Sequence, residues 1–113
     1  MKKHTLRITV DAGFPGPDPD DILRFLREFL HDFDVPVLQA SYGGVYNTRP
    51  LLVFEWILDP VAATSDSNAR WDGLYYTLRL RVHDKFKGQI SIPKFSIISE
   101  LTLTESMYAT DAE

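Results

Sequence analysis

The stretch "RPLLVFEWILDP" constrains the fold more than any other part of the chain. Residues 51–58 are apolar on both parities except for one glutamate, Glu55, and prolines bracket them. A run this short, rich in aromatic and branched side chains, reads as a strand. A strand with apolar residues on both parities needs neighbours on both edges and a covering layer on at least one face. The chain must therefore build a sheet with something packed on it. Glu55 raises the functional question, because a carboxylate inside such a run is either a reagent or an outward-facing tooth of an ordinary strand.

The flanking segments supply the neighbours. In "TLRITVDAG", Leu6, Ile8 and Val10 alternate with Arg7, Thr9 and Asp11, as expected of a first strand with one buried face. "GFPGPDPDD" then punctuates the chain and prepares a helix. Asp18 fits the N-cap, and Pro19 fits the first position, where no N–H is needed. Asp20 and Asp21 lie near the positive end of the dipole. In the helix that follows, Ile22, Phe25, Leu26, Phe29, Leu30 and Phe33 share one face, and Arg24, Arg27, Glu28 and His31 share the other. It is expected to end before Pro36. "PVLQASYGGVY" reads as a second strand interrupted at Gly43-Gly44, with "NTRP" as the turn into Leu51.

Residues 70–87 admit two readings. As a strand, Leu74, Tyr76, Leu78, Leu80 and Val82 alternate with polar neighbours. As a helix, Trp71, Leu74, Tyr75, Leu78, Val82 and Phe86 share a face and leave Tyr76 and Leu80 outside. Propensity favours the strand. The helix accounts for a longer stretch and has end signals, with caps in "TSDSN" and cations before a C′ glycine in "HDKFKG". Gly73 weakens it by about 1 kcal/mol. We take the helix. In "QISIPKFSIISELTLTE", Phe95, Ile97, Leu101 and Leu103 alternate with Ser96, Ile98, Glu100, Thr102 and Thr104. Pro93 excludes one uninterrupted central strand, leaving a separate short strand before it or an edge position.

The expected order is β-α-β-β-α-β, a ferredoxin-like α+β fold with a four-stranded antiparallel sheet and two helices on one face. The strand reading of 70–87 would give one helix on a five- or six-stranded antiparallel meander. With 113 residues the chain is expected to form one domain over 1–105, followed by a frayed acidic tail over 106–113.

No cysteine is present, which excludes disulfides, thiolate metal sites and cysteine nucleophiles and suits a reducing cytoplasm. The net charge of −4 argues against a phosphate-backbone footprint. No apolar run approaches the roughly 18 residues of a membrane span. The basic start "MKKHTLRITV" enters an alternating strand and not the apolar core of a signal peptide. A cytoplasmic protein without membrane contact is expected.

No reactive constellation emerges from spacing. "GFPGPDPDD" lacks both the Gly-Lys-Ser/Thr ending of a phosphate loop and the pattern of a calcium loop, and its aspartates would repel phosphate. His4, His31 and His83 are scattered, so neither a metal nor a cofactor is expected. An RNA-recognition platform needs aromatics on the open face of the first and third strands, where this chain has Arg7, Thr9, Val53, Glu55 and Ile57. The opening "LRITVDAG…DPDDILRFLREFLHD" resembles the first strand and helix of effector-associated constant-component domains of bacterial conflict systems. That resemblance covers about a quarter of the chain and implies a non-catalytic adaptor that brings effectors together with sensors or proteases. It carries no site residues over.

The expected function is a non-catalytic interaction module, an adaptor, regulator or mobile-element inhibitor, that binds another protein or a second copy of itself. The contact surface is placed on the open sheet face, at Arg7, Val53, Glu55, Ile57, Ile98 and Glu100, with an Arg7–Glu55 cross-strand pair. The alternative is a small enzyme or ligand-binding protein that uses Asp11 and Glu55, with a pocket against "DPVAATSDSNAR". A secondary basic patch, Arg79, Arg81, Lys85 and Lys87, is expected to be a solvated face, with an acidic partner or nucleic acid as its alternative occupant.

Overall fold

The computed structural model describes residues 2–13, 15–38, 50–59 and 68–101. Five elements follow one another: β1 (Lys2–Asp11), α1 (Pro19–Asp32), β2 (Leu51–Leu58), α2 (Asn68–Phe86) and β3 (Ser91–Leu101). The strands form a three-stranded sheet in the order β2-β1-β3, antiparallel at both junctions. The architecture is α+β, with both helices contributing to one core.

Strand parity assigns the faces. Leu6, Ile8 and Val10 are fully buried, and Leu52, Phe54, Trp56 and Leu58 opposite them are at most 2% exposed. This face packs on Ile22, Leu26, Phe29 and Leu30 of α1 and on Trp71, Leu74, Leu78 and Val82 of α2. Leu23 joins the α1 contribution, while Phe25 and Phe33 are only partly buried. Edge-on contact between Phe25 and Phe86, with ring centroids 5.6 Å apart, joins the two helices.

The helix reading of residues 70–87 holds, and the meander is excluded. Trp71, Leu74, Leu78, Val82 and Phe86 are buried, while Tyr76 and Leu80 face solvent. The period of burial matches 3.6 and contradicts 2. Summed over five buried side chains, packing outweighs the β propensity of the tyrosines and valine.

The helix ends show why the chain turns where it does. Asp18 is the N-cap of α1, with extended backbone and a side chain that accepts from the Asp20 N–H at 2.8 Å, and Pro19 follows in the first turn. At the other end Asp34 takes a left-handed conformation (φ 53°), so that Val35 N–H reaches the Leu30 carbonyl and Asp34 N–H reaches that of His31. Pro36 then prevents continuation. At the end of α2 the left-handed residue after the cap is Lys87, not the expected glycine, and Gly88 follows with φ 75°. The Gly88 N–H closes the turn on His83.

Pro93 lies inside β3, not between two strands. Thr9 pairs with Lys94 but Asp11 pairs with Ser91, so Ile92 and Pro93 together oppose Val10. This bulge switches the parity of the strand. Before it Ile90 and Ile92 face the core; after it Phe95 and Ile97 do. A proline without an N–H is tolerated there because, among the described residues, β3 is an edge strand.

The strand expected over "PVLQASYGGVY" falls mostly on residues 39–49, outside the described residues. Its first positions are described. Val37 forms an antiparallel bridge with Leu58, Leu38 N–H donates to Ile57, and Asp59 N–H donates to Pro36.

Candidate interaction surfaces

The face of the sheet turned away from the helices consists of cross-strand rows fixed by the register. Ile57, Thr5 and Ile98 form one row; Glu55, Arg7 and Ser96 the next; Val53, Thr9 and Lys94 the third. Four of the expected contact residues, Arg7, Val53, Glu55 and Ile57, therefore adjoin one another, and Ile98 flanks them across Thr5. Glu100 pairs with Lys3 one row beyond. All the side chains of these three rows are partly buried, except Thr5, which is 7% exposed between its two isoleucines, and Lys94, which is exposed.

Arg7 and Glu55 form the expected pair. Arg7 Nε donates to Glu55 Oε2 at 2.6 Å, with the arginine side chain 43% and the glutamate 12% exposed. Glu55 is thus more shielded than a carboxylate on a bare sheet face, because the guanidinium lies against it. A charge-assisted bond between opposed strands stabilises by up to about 1 kcal/mol.

The carboxylates proposed for acid–base chemistry are not brought together. Asp11 pairs with Leu51 while Glu55 pairs with Arg7, so four residues of strand separate their rows, roughly 13 Å. Asp11 instead accepts from the Gly13 N–H at 3.2 Å and shapes the turn out of β1. Glu100 pairs with Lys3, four residues of β1 from Arg7, and the loop "DPVAATSDSNAR" lies largely outside the described residues. No group of three or more His, Asp or Glu side chains capable of holding a metal occurs among the described residues. His4 is buried on the helical side, where the Ser99 hydroxyl meets its Nδ1 at 2.7 Å; His31 and His83 are exposed.

The basic run of α2 does not form one surface. Residues 79 and 81 are about 200° apart around a helix. Arg79 lies over the Tyr75 ring on the β3 side (5.4 Å), and Arg81 lies over Phe33 on the α1 side (5.3 Å). Lys85 and Lys87 are exposed at the last turn.

Among the described residues, two clefts lie beside the helices. One, of about 550 Å³, separates α2 from the start of β3; it is lined by Tyr76, Arg79, Leu80 and His83 on one side and by Ile90 to Pro93 on the other. The second, of about 510 Å³, lies beside α1 between Arg27, His31, Leu38 and Trp56. Sequence reasoning placed Tyr76 and Leu80 outside the helix core but not beside a cleft, because only the register of β3 brings Ile90 to Pro93 opposite them. No helix of the described residues is long and apolar enough to cross a membrane. In comparisons with family models, curated proteins and solved structures, nothing matches this chain.

Proposed function

We propose that this chain is a non-catalytic interaction module of the reducing cytoplasm, an adaptor, regulator or inhibitor that binds another protein through the outer face of its sheet. The fold underlying it is ferredoxin-like, with a fourth strand continuing from Val37 along the outer edge of β2. The antiparallel Val37–Leu58 bridge and its two flanking backbone bonds support that continuation, since they start a ladder on the correct edge and in the correct sense. The resemblance of the first strand and helix to constant-component adaptor domains is consistent with the same role.

The observation that carries the functional reading is the composition and order of the outer face. A charge pair already matched within the chain, Arg7 with Glu55, sits between the row of Ile57, Thr5 and Ile98 and the row of Val53, Thr9 and Lys94. Apolar side chains framing a paired charge are what a transient protein interface presents. They gain from water exclusion while the ion pair fixes orientation, and the one further charge of these rows, Lys94, is exposed on the edge strand, where it stays at the rim on docking. Ile57→Asp places an unpaired carboxylate in that row. It is expected to abolish capture of the partner by the tagged chain, with unchanged circular dichroism. Undiminished capture would show that the partner docks elsewhere. Self-association in sedimentation, lost on the same substitution, would identify the occupant as a second copy.

A further inference from the structure

The cleft between α2 and β3 has features that a mere packing defect would not combine. Its floor is fixed: the Tyr75 hydroxyl donates to the Ile92 carbonyl at 2.7 Å, and the Tyr75 ring stacks on Phe95 with centroids 5.7 Å apart. Its lip is apolar and wet, with Tyr76 64% and Leu80 52% exposed one helical turn apart. Among the described residues its lining carries one permanent charge, that of Arg79, with His83 beside it and no carboxylate in the lining itself; Asp84 lies 4.0 Å from the His83 ring. Arg79 is held by stacking on Tyr75 and forms no ion pair with another described residue, so its guanidinium retains donors for an incoming acid.

We propose that this cleft is a docking site for an acidic linear segment of a partner protein, one that carries a large apolar side chain beside its carboxylates. The apolar side chain inserts between Tyr76, Leu80 and Ile90, and a carboxylate reaches Arg79. A cationic cleft in a chain of net charge −4 opposes the chain's own prevailing sign and favours an acidic occupant. The segment is held by its side chains and not by strand addition at this end of β3. Pro93 offers no N–H there, and the Ile92 carbonyl already accepts from Tyr75. A nucleic acid is disfavoured, because Arg81 lies over Phe33 on the other side of α2 and the run provides no continuous phosphate track. The cleft is on the helical side of the sheet, so this site and the outer face stand or fall separately.

Panning a random linear peptide library against the full chain tests the site, with affinities of the selected peptides measured by fluorescence anisotropy. The expected consensus places Asp or Glu beside Leu, Phe, Tyr or Trp. Arg79→Glu and Leu80→Asp each weaken these peptides by at least about ten-fold, whereas Ile57→Asp on the opposite face leaves them unchanged. Both substituted positions are exposed, so the fold is retained by circular dichroism, and Tyr76→Ser provides an independent test of the lip. The proposal is overturned if panning yields no consensus or one without acids, or if Arg79→Glu, Leu80→Asp and Tyr76→Ser all leave affinity intact. It is also overturned if single-stranded oligouridylate displaces the peptides, since phosphate would then be what the cleft prefers.

Discussion

Glu55 looked anomalous because seven apolar residues surround it in sequence, but those neighbours belong to two different faces. Phe54 and Trp56 enter the core while Glu55 meets Arg7 on the outside, 2.6 Å away. The pair orients the middle row of the outer face and lets a carboxylate that is only 12% exposed remain there. Arg7→Ala is expected to cost about 1 kcal/mol, measured by urea denaturation. In a double-mutant cycle with Glu55→Gln, the coupling should be about 0.5–1 kcal/mol in dilute buffer and should shrink in molar salt, because the arginine is substantially exposed. A coupling of zero in dilute buffer would mean that the pair only decorates the surface.

At the scale of elements, α2 decides the topology, and its exposed face shows how little of its stability comes from intrinsic propensity. Gly73 is exposed in its first half, and a Cβ added there would meet no atom within 4 Å. Gly73→Ala should therefore stabilise the protein by about 0.5–1 kcal/mol and raise the thermal midpoint, read by circular dichroism at 222 nm (roughly the helical minimum). What the chain alone revealed follows the same logic of local against non-local information. The N-cap at Asp18, the stop before Pro36 and the outward parity of Arg7 and Glu55 are all set by spacing or by one residue's chemistry, and each was legible. Residues 70–87 were ambiguous because their alternating pattern satisfies period 2 almost as well as 3.6, and only packing against Phe25 and Phe95 separates the two. The Pro93 bulge, the burial of Thr5 between Ile57 and Ile98, and the cleft beside Tyr76 depend on register between distant strands. No window of sequence contains that information.

At the scale of the molecule, the two layers divide the work. The helical side buries Leu6, Ile8, Val10, Phe54 and Trp56 and provides the stability. The other side carries a matched ion pair between rows that hold Val53, Ile57 and Ile98, and among the described residues no helix packs on it. The central claim is that this outer face, and not the polar face of α1, receives the partner. The direct measurement replaces Val53, in the outer face, or Arg24, exposed on α1, with a photo-reactive phenylalanine analogue and irradiates the chain in its native extract. The account predicts a discrete adduct from position 53 that disappears when Ile57→Asp is added, and none from position 24. An adduct from position 24 with none from position 53 would contradict it.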